Sequence, residues 1–250
     1  MKALAIETST ERVSVAASDG VRQAVLDVAG GAQASHTVLP AVGQALAQVG
    51  LTLKQLDGIA FGQGPGAFTG LRTACALAQG LALGAGLPVL PLDSLSLIAQ
   101  DARSRHPEVQ RVLACWDARM GQLYWAAMAW QGGHWVAHAP IQVSHPSEVQ
   151  WPAEWGVLTH ASDAAVAGQW LAEDPERLTS PLGPHRWIDA RPTATAMLAL
   201  WPSAWQRGLA VDPANALPLY VRNKVADTIA EREALQAAKA QVQRQAPNAP

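Results

Sequence analysis

The sequence predicts an α/β protein built from two copies of one βββα unit, roughly 110 residues apart, a spacing too long for a solenoid repeat. Three observations predict it. An apolar run that ends in an acid opens the chain at residues 2–7, and a similar run ends in an acid at residues 111–117. Each run precedes two alternating segments joined by a glycine-containing turn, the pattern of antiparallel strands. Helical spacing begins only after these strands.

Each element of the first half follows from a local pattern. Apolar and polar residues alternate on both sides of an Asp-Gly pair at residues 19–20, which indicates a hairpin. Apolar residues then recur every three or four positions from 39 to 49, which predicts a helix with Ser35 as N-cap and Gly50 at its end. The predicted order is βββαβαβα, with strands at 2–6, 12–18, 21–28, 57–61 and 88–92 and helices at about 35–49, 69–83 and 94–104.

The second half repeats this order in degenerate form. Apolar residues occupy alternate positions from 123 to 129, so one face of its second strand is apolar. Gly132 and Gly133 supply the next turn. The predicted elements are strands at 111–116, 122–130 and 134–143 and helix-like segments at 162–171 and 193–205.

Two such units predict paired domains around a cleft, the duplicated actin-like (ASKHA or ribonuclease H-like) βββαβα architecture with a degenerate second copy. We expect an N-terminal domain at residues 1–106 and a smaller C-terminal domain at 107–226. Residues 227–250 are rich in helix formers and end in PNAP, which predicts a partly disordered helical extension.

Composition excludes several classes of protein. The chain has 250 residues, of which 49% are hydrophobic and only 15% are charged, so a disordered chain is excluded. Its net charge of -2 gives no general electrostatic reason to expect a nucleic-acid binder, although it does not exclude a local basic patch. All ten Trp residues lie between Trp116 and Trp205, which indicates two halves built differently.

The compartment is inferred from cysteines and apolar runs. Cys75 and Cys115 have no CxxC spacing and lie in apolar segments, which predicts small buried side chains. The opening run is too short for a signal peptide. Residues 73–92 carry no charge, but their glycines and prolines favour a helix followed by a strand over a membrane span. We expect a cytoplasmic protein without a membrane segment.

The sharpest local motif is GQGPGAFTGLR at residues 62–72, between a predicted strand and a predicted helix. Its glycines allow close backbone approach, and amides at a helix start can face an anion, so one interpretation is a phosphate loop. Pro65 and the absence of lysine break both GxxxxGK(S/T) and GxGxxG. We favour the alternative, a tight connection whose glycines let the helix pack closely.

The acids that end the first strand of each half are a second candidate. In actin-like phosphotransferases an acid at this point, followed by glycine and threonine, holds the metal-bound phosphates. Here Glu7 and Asp117 are followed by TST and ARM, without the glycine that lets backbone approach a phosphate. A conventional ATP site is therefore not expected, and an actin-like small-molecule kinase or ATPase is the alternative function.

Other catalytic patterns are weaker. His134 and His138 form an HxxxH motif, but the segment alternates as a strand and lacks the glutamate of HExxH. The chain has no GxSxG elbow, and Cys75 has no basic neighbour to lower its pKa. We predict no catalytic residue, cofactor site or metal site on this chain, with a zinc peptidase using the two histidines as a third possibility.

The first-half helices offer a different kind of site. The segment 69–83 carries small residues on almost every face, and a helix that is apolar all round needs cover on all sides. One face meets the sheet. The other can be covered by the same chain or, together with Leu39, Val42 and Leu46, by another subunit.

Five segments together resemble one family: KALAIETSTERVSVA, SHTVLP, GQGPGAFTGLR, WDARMGQLYWA and ALPLYVRNKVA. The family is TsaB, also called YeaZ, and the resemblance runs from about Lys2 to Ala226. Glu7 stands where the family more usually has Asp, and the segment beyond Asp227 is not explained by the resemblance. The family motif loop corresponds to Gly62, Gly64, Pro65, Gly66, Phe68, Thr69, Gly70 and Arg72.

The resemblance implies a non-catalytic scaffold and activator subunit of the complex that makes N6-threonylcarbamoyladenosine next to the anticodon in tRNAs reading codons that begin with A. A TsaD-like subunit is expected to carry the metal and transfer the threonylcarbamoyl group, and a TsaE-like subunit to supply an ATPase cycle. First-half helices would bind the TsaD-like partner or a second copy of the chain. Carried onto this sequence, that interface comprises Leu39, Val42, Leu46, Thr73, Leu77 and Leu81.

Overall fold

The computed structural model describes residues 1–152, 155, 159–163, 166 and 186–222. Five strands form the first sheet, in the order β3-β2-β1-β4-β5. The first three are antiparallel neighbours, and β4 and β5 run parallel to β1. The strands are β1 (Ala3–Glu7), β2 (Arg12–Ser18), β3 (Gln23–Ala29), β4 (Gly58–Gly64) and β5 (Val89–Asp93).

Three helices follow the predicted positions in this half, with changes at their ends. They are α1 (Ala34–Val49), α2 (Phe68–Ala85) and α3 (Ser94–Arg105). The predicted cap at Ser35 is wrong, because a 3-10 turn at Gly31–Gln33 runs into α1 and places Ser35 inside the helix. Gly50 does end α1, in the left-handed conformation with φ of 72°.

The second sheet has the same topology as the first, in the order β11-β10-β6-β7-β8. Strands β6, β7 and β8 are antiparallel neighbours, and β10 and β11 run parallel to β6. This shared order is ribonuclease H-like and confirms the actin-like α/β fold class. The strands are β6 (Arg111–Arg119), β7 (Gln122–Gln131), β8 (His134–Ala137), β10 (Thr159–Ser162) and β11 (Arg186–Asp189).

Several predictions for the second half need correction. The returning strand at 134–143 is interrupted near Pro140, and its second part, β9 (Gln142–Ser144), pairs separately with β7. The helix predicted from 162 is wrong at its start, because Ser162 ends β10. Residues 167–171 and the predicted extension at 227–250 lie outside the described residues. The last predicted helix is confirmed as α4 (Ala194–Gln206), which the Thr193 side chain caps at its N-terminus.

Helices α3 and α4 lie between the two sheets and share one apolar core with both. Trp201 of α4 is almost fully buried there and stacks with Trp205 at 5.3 Å between ring centroids. A Cβ on Gly58 of β4 would lie only 3.1 Å from Trp205 and 3.2 Å from Trp201. The absence of a side chain at 58 therefore lets α4 pack directly on the first sheet.

The outer faces of the two sheets have separate cores. Helices α1 and α2 cover the first sheet over Leu4, Ile6 and Phe61. Cys115 and Trp125 pack in a smaller cluster on the second sheet. Both cysteines are free and buried, as predicted. Within the described ranges, no helix has the length and apolar character needed to cross a membrane.

Candidate functional site

The glycine-rich loop lies where β4 leads into α2, and other parts of the chain fill the space against its glycines. A Cβ on Gly66 would lie 2.6 Å from the Ser9 Cβ, and one on Gly70 would lie 1.9 Å from the Thr8 carbonyl oxygen. At Gly64, with φ of 111°, it would lie 3.0 Å from the Leu219 carbonyl oxygen. This geometry supports close packing as the reason for the glycines.

Polar groups of the loop are also hydrogen-bonded to the chain itself. The Ala67 amide donates to the Ser9 carbonyl at 2.9 Å, and the Thr8 hydroxyl donates to the Gly70 carbonyl at 2.6 Å. The Ala67 amide is therefore used within the chain, whereas a phosphate loop turns its amides toward the ligand.

A C-terminal segment, residues 212–222, crosses from α2 to the second half, and we call it the strap. Gln79 of α2 donates to the Pro213 carbonyl at 3.1 Å and to the Ala216 carbonyl at 3.0 Å. At its other end, Arg222 donates to the Gln122 side-chain oxygen at 2.5 Å. The strap therefore links the glycine-rich loop and α2 to the β6–β7 hairpin.

Together these parts enclose a cleft of about 920 Å³ between the two halves. Its walls are mixed, with aromatic and aliphatic side chains beside arginines and carboxylates. The principal lining residues are Ser9, Glu11, Phe68, Trp116, Asp117, Arg119, Met120, Tyr124, Asp163, Tyr220 and Arg222.

Glu7, the acid that ends β1, is completely buried beside Gly62. One carboxylate oxygen accepts the Ser9 amide, and the other has no hydrogen-bond partner among the described residues. Burial disfavours the charged form and raises the pKa of Glu7 from 4.5 to about 7, against smaller opposing effects of its hydrogen bonds to Ser9 and Thr8. A carboxyl held in this way lacks the exposure needed to coordinate a phosphate-bound metal ion in the cleft.

The buried carboxyl predicts a pH dependence of stability. Between about pH 4.5 and 7 the folded state keeps a Glu7 proton that the unfolded chain releases, so stability falls as pH rises through this window. Glu7→Gln keeps an acceptor for Ser9 without the charge. We expect it to raise the free energy of unfolding at pH 8 by on the order of 2–3 kcal/mol and leave it nearly unchanged at pH 4.5.

Urea unfolding of both proteins at several pH values measures this difference. A constant difference between wild type and Glu7→Gln from pH 4.5 to 8 would contradict the assignment of the effect to Glu7.

The second strand-end acid, Asp117, is ion-paired at the tip of the β6–β7 hairpin. Arg119 lies 3.2 Å from Asp117 and 3.2 Å from Glu11, which belongs to the first half. Arg119 and Met120 both have positive φ, 65° and 58°, unusual for residues with side chains. The two strand-end hairpins thus contact each other across the cleft, although such exposed ion pairs contribute little stability.

The predicted interface residues divide into exposed and buried members. Leu39 is 53% exposed, whereas Val42 and Leu46 are 2% and 6% exposed and pack in the core beneath α1. Thr73, Leu77 and Leu81 are half-buried along α2.

Beside polar residues such as His36, Gln44 and Gln48, α1 and α2 expose leucines and small residues, which together we call the helical face. A Cβ added at its glycines would meet no other atom within 4 Å. The helical face comprises the exposed Leu39, Gly43, Ala76, Gly80, Leu83 and Gly84 and the half-buried Thr73 and Leu77.

The histidine pair forms no metal centre in the described part of the chain. His134, the first residue of β8, forms a hydrogen bond of 3.3 Å with the Gly132 carbonyl. His138 is exposed and directly follows the last residue of that strand. Among the residues that the structure describes, no three His, Cys, Asp or Glu side chains are placed to hold a metal ion.

Two ribonuclease H-like sheets around a cleft, with one helical pair between them and another outside, define an actin-like α/β protein. A family model described as TsaD, tRNA N6-adenosine threonylcarbamoyltransferase, matches residues 30–179, more than half of the chain. The solved structure of YeaZ from Pseudomonas aeruginosa is 33% identical with a TM-score of 0.76, covering 88% of this chain and 99% of that one. The chain belongs to the TsaB (YeaZ) family.

Two curated relatives named tRNA threonylcarbamoyladenosine biosynthesis protein TsaB agree with this assignment. The Haemophilus influenzae protein is 45% identical over 126 residues, 49% of this chain and 52% of its own length. The Escherichia coli protein is 43% identical over 129 residues, 50% of this chain and 54% of its own length. The chain therefore spans about half the length of the curated relatives that it matches.

Proposed function

We propose that the protein is a non-catalytic scaffold and activator subunit of a cytoplasmic complex that forms N6-threonylcarbamoyladenosine next to the anticodon of tRNAs reading codons that begin with A. The observation that carries the proposal is the helical face, which no described part of the chain covers. The names of the relatives supply the pathway, and the TsaD family model suggests the partner to which such a face would bind.

The cleft supports the absence of catalysis. A phosphotransferase of this fold needs exposed acids and free amides around the phosphates, but Glu7 is buried and the Ala67 amide is used within the chain. Arg119 lies in the β6–β7 hairpin and forms ion pairs with Glu11 of the first half and Asp117 of the second half. No observed feature favours the alternative actin-like small-molecule kinase.

The helical face supports a helix-to-helix contact with another subunit. Glycine and alanine on the outside of α2 let a partner helix approach to a short interaxial distance, and Leu39 and Leu83 provide apolar area at the periphery. A TsaD-like catalytic subunit is the proposed occupant, and a second copy of this chain can compete for the same face. A TsaE-like ATPase is a further subunit of the complex, and tRNA is the substrate of the complex. ATP and the metal ion bind to the partner subunits.

Reconstitution tests this proposal. A TsaD-like subunit, a TsaE-like ATPase, tRNA and threonylcarbamoyl-adenylate are combined with and without this chain, and modified adenosine is quantified by mass spectrometry. We expect omission to lower the modification rate at least about tenfold, a change of about 1.4 kcal/mol in activation free energy. Heat-inactivated chain is the control, and an undiminished rate without the chain would overturn the proposal.

A further inference from the structure

Four side chains are grouped here as an aromatic–arginine patch: Phe68, Tyr220 and Arg222, which line the cleft, and Arg72, which contacts both rings. Phe68 and Tyr220 are 42% and 47% exposed, with ring centroids 5.2 Å apart and ring planes inclined by 36°. The Arg72 guanidinium lies 3.8 Å from the centroid of the Phe68 ring and donates to the Tyr220 hydroxyl at 3.3 Å. Arg72 thus lies over one ring and hydrogen-bonds the other, and the two rings are tilted against each other.

The charge of the patch is positive. In the part of the chain that the structure describes, neither Arg72 nor Arg222 forms an ion pair with a carboxylate. Arg222 instead donates to neutral acceptors, among them the Gln122 side chain and the Met120 sulfur.

The acids nearby have other partners than these two arginines. Glu11 and Asp117 are paired with Arg119, and the Asp163 carboxylate accepts the Val166 amide at 2.9 Å. Arg72 against the rings and Arg222 in the same cleft are therefore not ion-paired with an acid among the described residues, in a protein whose overall charge is -2.

We propose that the aromatic–arginine patch binds unpaired nucleotides of an RNA partner, with bases stacked on the two exposed rings and phosphates against the two guanidinium groups. Single-stranded RNA is recognised by stacking on aromatic side chains and arginine planes combined with electrostatic attraction of the backbone. The cleft behind the patch, about 920 Å³, has room for a flipped base. The identity of the RNA as the tRNA of the modification complex rests on the proposed function.

The direct test is fluorescence anisotropy with a labelled RNA stem-loop that has an anticodon-sized unpaired loop, titrated with the full chain alone and with the chain bound to a TsaD-like subunit. Phe68→Leu and Tyr220→Leu remove the rings but keep apolar side chains at exposed positions. We expect each to weaken binding about tenfold. Arg72→Gln and Arg222→Gln are expected to lower the slope of log K against log salt by about 1 each.

Arg207→Gln is the matched control, because Arg207 is an exposed arginine beyond α4 with no described ion pair, and it should leave both quantities unchanged. Unaltered RNA binding by all four patch variants would overturn the proposal. The proposal would also be overturned if a mononucleotide such as AMP competed at the same concentration as the unpaired loop, because that result indicates a small-molecule site. Binding of an acidic peptide as tightly as RNA would overturn it as well.

The two proposals fail separately. If the chain is required for tRNA modification but the patch variants bind RNA normally, only the RNA assignment falls. If the chain binds RNA through the patch but is dispensable in reconstitution, only the scaffold assignment falls.

Discussion

Gly70→Ala is expected to lower the free energy of unfolding by about 3 kcal/mol or more. Its added methyl group would lie 1.9 Å from the Thr8 carbonyl oxygen, which belongs to the backbone and cannot rotate away. Either α2 must move off the β1–β2 turn, or the hydrogen bond from the Thr8 hydroxyl to the Gly70 carbonyl must break. Both changes disturb packing at the centre of the first half, and overpacking of this kind is among the largest single-residue effects.

Gly80→Ala is the matched control, because the same substitution is made nearly three turns later on the same helix. A Cβ at Gly80 meets nothing within 4 Å, so helix propensity alone decides the result. We expect Gly80→Ala to stabilise the protein by about 0.5–1 kcal/mol. Urea unfolding followed by circular dichroism compares the three proteins, and equal shifts for both alanine variants would show that close packing does not explain Gly70.

Ala76→Arg is expected to weaken binding of a TsaD-like subunit by at least about 100-fold, equivalent to about 2.7 kcal/mol. Ala76 is exposed on α2 between Thr73 and Gly80, so an arginine there leaves the isolated chain's core intact. In a helix-to-helix contact the same arginine would be buried without an assigned partner, which costs several kcal/mol. Leu77 is less informative for this purpose, because its side chain packs partly against the core.

Ala199→Arg is the corresponding control, since Ala199 is an exposed alanine on α4, remote in the fold from α1 and α2. Isothermal titration calorimetry measures the affinities, and thermal unfolding checks that both variants keep the wild-type stability. If Ala76→Arg binds the partner with the affinity of Ala199→Arg, the helical face is not the contact surface.

Long periodic elements could be predicted from the sequence. Strands β2 and β7, of seven and ten residues, alternate clearly enough to reveal both hairpins and the duplicated order. Strands β10 and β11 could not be found in this way, because each has only four residues and a short run carries no readable period. The cap of α1 was misplaced because a 3-10 turn, not a side chain, precedes that helix.

The exposure of the candidate interface residues could be predicted only in part. Spacing identified α1 as amphipathic, but the direction of its apolar stripe depends on tertiary packing, so Val42 and Leu46 face the sheet rather than solvent. The strap was missed for another reason. It is held through backbone carbonyls such as those of Pro213 and Ala216, and a carbonyl is present at every residue whatever the sequence.

The packing of α4 has a consequence for how the chain folds during synthesis. The Ala194 amide donates to the Ser14 hydroxyl across 180 positions of sequence, and α4 lies against β1 and β2. Until α4 has emerged from the ribosome, one apolar face of the N-terminal sheet, including Ala5, Ala16 and Leu90, lacks part of its cover. The first strands to be made thus complete their packing only once residues 194–206 have been made, after most of the second half.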